Sequence, residues 1–372
     1  MDYIKKTLLF LSSLKITLIC LLFLCIFVIW GTFYQVEYGI HAAQERFFSS
    51  WILMINNFFP VPGVKTILTL LSINLLLTGL RSYLFRLEKF GIFLMHAGSA
   101  VLLIGSGISS FLVSESSLSL TEGDQSSVAI DFANWEFMSF VNNFNKNTDK
   151  NETFKTEFSA IKPGNILKFK NGTNIHIKKV YKNCDAFGAS LTNIDSLQSK
   201  PVSKNRLENI PGIILSVSKK GVSDFRTPDI LLYGGAGIPS TFLLGQDTIS
   251  LSIQPKQVKL PVSIRLVNFL KENHPGTNEA KSYESRIHAR GPQLDREIVI
   301  SMNKPFRYQS FTFYQSGYTQ NENSQYISSL SVIENPARFV PYLAGLTIMI
   351  GLFFHFIIKF IYAYRRTRQK HE

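Results

Sequence analysis

The chain has 372 residues, of which 45% are apolar and 17% charged, and its formal net charge is +13. Residues 114–336 hold 25 lysines and arginines against 21 acidic residues, so they account for only +4 of that charge. The remaining +9 belongs to the apolar ends of the chain, where topology and anionic lipid explain basic residues better than a phosphate-binding face does. We therefore expect a lipid bilayer and no nucleic acid as a partner.

Three apolar runs are each long enough to cross a bilayer, and a shorter run, Thr66–Leu80, can be extended by snorkelling of Lys65 and Arg81. They predict four transmembrane helices, at about 12–33, 63–82, 90–113 and 339–362. Lysines and arginines precede the first helix, separate the second from the third and follow the fourth, so the positive-inside rule puts these three sets on one side, the cytoplasmic side. The predicted fold is a membrane domain of residues 1–113, a large β-rich extracytoplasmic domain of residues 114–336, and a fourth helix with a basic cytoplasmic tail in residues 337–372. The expected location is the cytoplasmic (inner) membrane, with the large domain on the periplasmic or extracytoplasmic side.

Residues 47–59, after the first predicted helix, are unusually rich in aromatic side chains and end before Pro60 and Pro62. Aromatic residues are enriched where a membrane meets water, so we predict an interfacial segment here, in the form of a helix lying in the interface. The alternative that the sequence leaves open is a stacking surface for a porphyrin.

The third predicted helix carries one ionisable residue, His96, seven residues after Lys89. An ionisable side chain inside an apolar span loses hydration and is retained mainly where it has a function. Imidazole binds haem iron, and the small residues Ala100 and Gly107 on the same helical stripe leave room for a planar group. We predict that His96 is an axial ligand of haem b. The alternative is a neutral histidine that is hydrogen-bonded to a neighbouring helix.

Residues 114–336 alternate apolar and polar residues in the manner of strands, for example at 175–181 and 262–269. We predict a single antiparallel β-sandwich or barrel-like domain, with a solvated loop over 142–155. The chain has no Gly-x-Ser-x-Gly elbow, no His-Glu-x-x-His motif and no Walker loop, so no catalytic residue is predicted. It also has no Cys-x-x-Cys pair, and Cys184 stands alone in this region.

The fourth predicted helix also contains a histidine, His355, ten residues before Arg365. At 1.5 Å per residue, His96 and His355 both lie roughly 10–15 Å from the cytoplasmic edge. Two imidazoles at comparable depth could bracket one iron from opposite faces, so His355 is a candidate second haem ligand. The other histidines show no metal-ligand spacing, and no metal other than haem iron is expected.

Short motifs are distributed along nearly the whole chain. They are Leu-Lys-Ile-Thr-Leu at 14–18, Trp-Gly-Thr-Phe at 30–33, Lys-Phe-Gly-Ile-Phe-Leu-Met-His-Ala-Gly at 89–98, Leu-Ser-Leu-Thr-Glu-Gly at 118–123, Met-Asn-Lys-Pro-Phe-Arg-Tyr at 302–308, Phe-Tyr-Gln-Ser at 313–316 and Gly-Leu-Phe-Phe-His at 351–355. In their order and spacing, these motifs resemble those of the ResB/CcsB proteins of the system II cytochrome c maturation pathway, although no single motif is specific.

The resemblance implies a subunit of a membrane cytochrome c synthetase that helps transport haem outward and present it for covalent attachment to apocytochrome c. Its partner would be a polytopic ResC/CcsA-type protein with a tryptophan-rich haem-handling loop, which this chain lacks, because Trp30, Trp51 and Trp135 are dispersed. In the family a histidine of the third helix ligates membrane haem, and His96 matches its place. We expect a non-catalytic or co-catalytic subunit of a haem lyase complex, with apocytochrome c and a thioredoxin-like thiol reductant as further partners.

Two functional hypotheses follow. A haem-delivery subunit needs His96 and gives the purified complex a b-type haem spectrum. A membrane-anchored scaffold that holds apocytochrome or a thiol-reducing partner, without binding haem itself, does not need His96. A membrane sensor is disfavoured, because the predicted cytoplasmic segments are too short for an output domain.

Overall fold

The computed structural model describes residues 2–55, 58–82, 87–143, 152–190, 193–203, 205–219, 227–244, 247–277 and 279–368. The chain divides into two compact units. The membrane unit consists of Met1–Ser114 and Glu334–Glu372, and the β unit consists of Glu115–Ile333.

Within the described residues, the membrane unit contains five α-helices, four of them long and apolar enough to cross a membrane. They are α1 (Asp2–Leu11), α2 (Leu14–Ala43), α3 (Val64–Ser82), α4 (Phe90–Leu112) and α5 (Val340–Arg368). The prediction of four spanning helices around a large soluble region is confirmed, and the chain is a multi-pass membrane protein. The first spanning helix is longer than predicted and is interrupted at Gly39, whose φ of 81° suits a residue without a Cβ.

The helix predicted for residues 47–59 is not formed. α2 is followed by a π-helical turn, Gln44–Phe48, and then by a hairpin of β1 (Ile52–Ile55) and β2 (Phe59–Pro62). Pro60 and Pro62 alternate along β2, so the two residues without an N–H share one side of the strand and the ribbon can pair through the other. Residues 52–55 of the predicted helix form strand β1, which pairs with β2.

α4 and α5 pack through a row of glycines spaced seven residues apart, Gly91, Gly98 and Gly105. A Cβ atom added at Gly91 would lie 2.5 Å from the carbonyl oxygen of Gly351 and 2.5 Å from the backbone nitrogen of His355. A seven-residue repeat keeps one stripe of a helix facing its partner, and small residues let the backbones approach. Close packing of this kind matters in a membrane because lipid is as apolar as the side chains and gives no hydrophobic driving force.

The junction between α1 and α2 is held by a polar residue of α3. Asn74 is almost fully buried, and its Nδ2 donates to the carbonyl oxygens of Leu11 (2.6 Å) and Ser13 (3.0 Å). Its Oδ1 accepts a hydrogen bond from Thr17 Oγ1 at 2.7 Å. A break between two helices leaves carbonyl groups without helical partners, and the Asn74 amide satisfies two of them. This explains a polar side chain in an otherwise apolar span.

Sixteen strands occur in the described part of the β unit. They are β3 (Ser114–Thr121), β4 (Gln125–Asn143), β5 (Glu152–Glu157), β6 (Ile166–Lys168), β7 (Thr173–Tyr181), β8 (Cys184–Ser190), β9 (Asn193–Ser199), β10 (Gly212–Lys219), β11 (Ile230–Tyr233), β12 (Ser240–Leu244), β13 (Asp247–Asn273), β14 (Ala280–Gly291), β15 (Leu294–Ser301), β16 (Phe306–Tyr308), β17 (Phe311–Gln320) and β18 (Tyr326–Glu334). The predicted β-rich character of this region is confirmed.

Ten of these strands form one sheet, in the order β15-β14-β13-β4-β3-β18-β17-β16, with β12 paired to β13 and β5 paired to β4. A second sheet has the order β11-β10-β7-β6, and β8 and β9 form a separate ribbon. β4 and β13 are antiparallel and pair from Asn143 opposite Asp247 to Gln125 opposite Arg265. The predicted loop over 142–155 lies partly outside the described residues, and β5 occupies its end.

The β unit has two hydrophobic cores, which corrects the prediction of a single sandwich or barrel. One core is formed by β3, β14–β18 and the end of β13, and the other lies between the two sheets. β13 crosses both cores, contributing Ile249 to one and Ile264 to the other. At roughly 3.3 Å per residue this strand is about 90 Å long along its path, far longer than one sandwich needs. The sequence indicated a short strand there, at 262–269, where the chain forms one continuous strand from Asp247 to Asn273.

A buried aspartate shapes β4 where it passes between the two cores. The pairing of β4 with β13 shifts between Trp135 and Asp131, so that the intervening residues bulge. The Asp131 carboxylate accepts hydrogen bonds from the backbone N–H groups of Ala133 (2.9 Å) and Asn134 (3.2 Å). These bonds satisfy backbone N–H groups that have no partner in the sheet because of the bulge.

Cys184 is buried at the start of β8, with its Sγ 3.7 Å from the carbonyl oxygen of Ile210. Burial, and to a lesser extent the charge of Asp185, raises the pKa of the Cys184 thiol to about 11. Only the thiolate is a strong nucleophile, so this thiol is protonated and unreactive at neutral pH. The folded β unit therefore gives Cys184 no chemistry suited to disulfide exchange.

We expect Gly91→Ala to lower the thermal unfolding midpoint of the purified protein in detergent. The added methyl group forces α4 and α5 apart, and overpacking of this kind costs about 1–3 kcal/mol. Gly107→Ala is the matched control on the same helix, because no atom lies within 4 Å of a Cβ added there. Alanine forms helices better than glycine, so the control should be neutral or slightly stabilising. Equal midpoints for the two variants would contradict the close packing.

We also expect Cys184 to resist alkylation by iodoacetamide near neutral pH in the folded protein. A pKa of about 11 in place of 9 reduces the thiolate fraction by about 100-fold, and the thiolate appears only as the pH approaches 11. Mass spectrometry of the Cys184 peptide, with the protein unfolded in detergent as the reference, measures the ratio of the two rates. Alkylation at the unfolded rate would show that the thiol is accessible.

Candidate functional site

His96 lies on the face of α4 that is turned away from α5. Gly98, which contacts α5, follows it by two residues, or about 200° around the helix. A Cβ atom added at Gly79 of α3 would lie 3.6 Å from the Cβ atom of His96. α3 and α4 therefore approach each other at His96, and its side chain, which is half-buried, begins at this contact.

The backbone of α4 sets the tautomer of the His96 imidazole. Its Nδ1 lies 2.9 Å from the carbonyl oxygen of Ile92, one turn earlier. A carbonyl oxygen can only accept, so this hydrogen bond requires the proton on Nδ1 and leaves the lone pair of the neutral ring on Nε2. Histidines that bind metals usually donate their other N–H to a carbonyl or carboxylate, which fixes the ring. His96 therefore fits axial ligation of iron through Nε2.

His355 lies on the face of α5 that contacts α4, with its backbone against Gly91. Its Nδ1 is buried and has no hydrogen-bond partner among the described residues. A buried polar atom without a partner costs about 1–3 kcal/mol, and ligation or a donor would relieve that cost. An open, apolar groove of about 600 Å³ continues along α5, lined by Phe356, Lys359, Phe360 and Ala363. The groove is too open to enclose a porphyrin without a neighbouring surface.

The structure does not bring His96 and His355 together. α4 and α5 are antiparallel, with Gly91 opposite His355 and Gly98 opposite Ile348. His96 is thus five residues, or about 7.5 Å, further along α4 than the point opposite His355. The two backbones are in contact, which leaves no room for a porphyrin between these helices. A similar depth in the membrane does not bring two histidines together when their side chains leave the helices in different directions. The role of His355 as a second haem ligand stays a prediction.

The small residues of α4 pack differently from the sequence-based expectation. Ala100 is fully buried and leaves no open space beside the His96 stripe, whereas Gly107 has open space around it. The row of glycines that does contact a neighbouring helix lies on another face. Its seven-residue spacing was the signal in the sequence that would have identified the α4–α5 contact.

The aromatic residues near the end of α2 pack against one another. Phe47 is fully buried, and its ring centroid lies 5.2 Å from that of Trp30 and 5.4 Å from that of Tyr34. The Arg46 guanidinium lies 4.9 Å from the Tyr34 ring centroid and donates to the Tyr34 hydroxyl at 3.3 Å. This packing gives Phe47 a structural role, whereas Trp51, Phe58 and Phe59 are exposed, and the porphyrin-stacking alternative stays a prediction.

Other described histidines lie apart, in the β unit. His176 Nε2 is 2.9 Å from Ser218 Oγ, and His288 Nε2 is 2.9 Å from a carboxylate oxygen of Asp295. Across the described ranges, no group of three or more His, Cys, Asp or Glu side chains is placed to hold a metal ion. Within those ranges, His96 and His355 are the histidines inside candidate spans, whereas His41 lies in α2 one residue after the first span.

Comparison with known proteins relates the chain to one family. The model of the ResB-like family matches residues 229–328, which begin just before β11 and end within β18. Protein NrfI of Wolinella succinogenes is 22% identical over 356 residues, covering 93% of this chain and 34% of NrfI. The chain thus spans about a third of the length of that relative, and the similarity includes the membrane unit. Together with the arrangement of helices and strands, these matches show that the chain is similar to ResB-like proteins.

Proposed function

We propose that the chain acts in cytochrome c biogenesis as a subunit of a membrane cytochrome c synthetase. In this role it helps carry haem b outward and presents it for covalent attachment to apocytochrome c. The relationship to the ResB-like family supports the pathway. The observation that carries the haem role is His96, an imidazole in an apolar spanning helix whose Nδ1 proton is held by the Ile92 carbonyl.

His96 would bind the haem iron through Nε2, because a neutral imidazole nitrogen is the form that binds iron. The Ile92 carbonyl keeps the proton on Nδ1 and holds the ring in one orientation. Haem is the cargo, and its porphyrin is the group that is joined to a Cys-x-x-Cys-His apocytochrome. The chain itself breaks no bond, so it is a non-catalytic or co-catalytic subunit.

A polytopic partner of the ResC/CcsA type would supply the opposite axial ligand. The contact of α4 with α5 leaves no room for a porphyrin between them, and α3 approaches α4 at the base of His96. A haem bound to His96 therefore has to be covered by a surface from outside this bundle. The β unit would hold apocytochrome c. A thioredoxin-like protein would keep the apocytochrome cysteines reduced, because the buried Cys184 is unsuited to that chemistry.

The membrane orientation follows from the basic residues at one end of the bundle. Arg81 of α3 donates to Ser12 at 3.0 Å, and Tyr362 of α5 donates to Glu88 at 3.0 Å, so these contacts join the corresponding helix ends. The basic residues at this end are Lys5, Lys6, Lys15, Arg81, Lys89, Arg365 and Arg366. The positive-inside rule makes this end cytoplasmic, with the protein in the inner membrane and the β unit on the periplasmic or extracytoplasmic side.

We expect His96→Gly to lose both haem and cytochrome c maturation when it is expressed with its partner, because the substitution removes the axial imidazole. Free imidazole can occupy the space that the side chain leaves, so its addition should partly restore the haem spectrum and maturation. The measurements are the absorption spectrum and haem content of the purified complex, and the yield of mature cytochrome.

The matched control is His274→Gly, which removes an exposed histidine of the β unit and should leave haem content unchanged. His355→Gly in the same assay tests the second ligand, and its loss of haem would favour a site that this chain supplies alone. A His96→Ala complex with full haem content and an unchanged spectrum would refute the haem role of His96. That result would favour the scaffold hypothesis, in which the β unit holds a protein partner without haem.

Reporter fusions test the orientation. Fusions after Asn171 and after Glu372 should report opposite sides of the membrane, with alkaline phosphatase active only at Asn171 and a cytoplasmic fluorescent protein bright only at Glu372. The reason is that one spanning helix, α5, separates the two positions. The same side for both fusions would rule out the arrangement of four spanning helices.

A further inference from the structure

α1 is a separate short helix beside the first candidate span. It ends at Leu11, and the span begins at Leu14, so Ser12 and Ser13 form a break between two helices. The break is fixed by α3. Thr78 Oγ1 donates to the Ser12 carbonyl oxygen at 3.2 Å and Arg81 to the Ser12 hydroxyl at 3.0 Å, in addition to the Asn74 bonds on either side. α1 therefore leaves the bundle at a defined point and is not a frayed start of α2.

The two sides of α1 differ in polarity. At 100° per residue, all large apolar side chains of α1 except that of Leu9 fall within an arc of roughly 160°. Lys5 and Lys6 lie on the opposite side of the helix, and Leu9 lies between them. The apolar side chains of this arc are well exposed, and they are those of Tyr3, Ile4, Leu8 and Phe10. Leu11, at the end of the helix, packs against the apolar core formed mainly by α2 and α3. The described chain thus anchors one end of α1 and leaves its apolar side uncovered.

We propose that α1 is an interfacial helix that binds anionic phospholipid through Lys5 and Lys6 while its apolar side enters the bilayer surface. A short helix with lysines on one side and large apolar residues on the other is typical of helices that lie in a membrane interface. The bilayer is the nearest apolar phase, because α1 ends two residues before a candidate span. Lys15 and Arg81 at the same end of the bundle add positive charge that complements anionic headgroups.

Spin labels on the full-length protein test this proposal. In a background of Cys20→Ala, Cys25→Ala and Cys184→Ala, labels are placed by Ile4→Cys or Leu8→Cys on the apolar side and by Leu9→Cys on the lysine side. The protein is reconstituted in nanodiscs of phosphatidylcholine, alone or mixed with phosphatidylglycerol. In the mixed nanodiscs, labels at positions 4 and 8 should collide often with oxygen and rarely with a water-soluble nickel chelate, and the label at position 9 should do the reverse.

Removing the lysines should remove the dependence on anionic lipid. Each lysine near an anionic surface shifts the binding equilibrium about fivefold, so Lys5→Gln with Lys6→Gln should weaken surface binding by roughly 25-fold in the mixed nanodiscs and little in phosphatidylcholine. Lys162→Gln with Lys281→Gln is the matched control, because it removes two exposed charges from the β unit and should change no label. The thermal unfolding midpoint in the same nanodiscs checks that each variant is folded.

Three outcomes would overturn the proposal. Equal exposure of all three labels to nickel would place α1 in water. Protection of positions 4 and 8 from both reagents would mean that protein, such as a second copy of the chain, covers α1. In the third outcome, the labels at positions 4 and 8 differ from the label at position 9 by the same amount in both nanodiscs, with or without Lys5 and Lys6. That result would exclude recognition of anionic headgroups.

Discussion

The contact between α4 and α5 is the constraint on which the membrane unit depends. Because glycine recurs every seven residues on α4, the two backbones meet along their length, and a side chain larger than hydrogen at Gly91 would collide with backbone atoms of α5. The contact fixes which face of α4 lies outside the α4–α5 interface. His96 is on that face, whereas His355 has its backbone in the contact itself. The same pair of helices is continuous in sequence with β3 and β18, which are neighbours in the larger sheet.

Three polar residues in the spanning helices meet the cost of burial in different ways. The Asn74 amide is fully used, since it donates to two carbonyl groups and accepts from Thr17. His96 uses Nδ1 on the carbonyl of its own helix, which prepares Nε2 for ligation without occupying it through that bond. His355 has a buried Nδ1 with no partner in the described chain. Asn74 is therefore explained by structure alone, and His355 is explained better by a ligand or a partner that completes its Nδ1.

The β unit shows how a long strand can join two cores. β13 pairs with β4 over most of its length, and local shifts of register, one of them stabilised by Asp131, let the same strand serve both cores. Buried polar side chains of the β unit can be explained without a catalytic pair of nucleophile and base. Ser285, Gln315 and Ser328, for example, hydrogen-bond to one another inside one core. These three buried side chains therefore need no partner outside the β unit.

The sequence by itself determined the four spanning helices, the β-rich central region and the candidate ligand His96, because length, apolar character and alternation are local properties of the chain. It also predicted a helix at 47–59, where the chain forms the end of a π-helical turn and then strand β1, which pairs with β2. It could not decide the number of β cores, since the continuity of β13 depends on strands far apart in sequence. Whether His96 and His355 face each other was likewise decided only in the tertiary structure. Depth along a helix follows from counting residues, but the direction of a side chain follows from which face packs on a neighbour, and the glycines of α4 settled that.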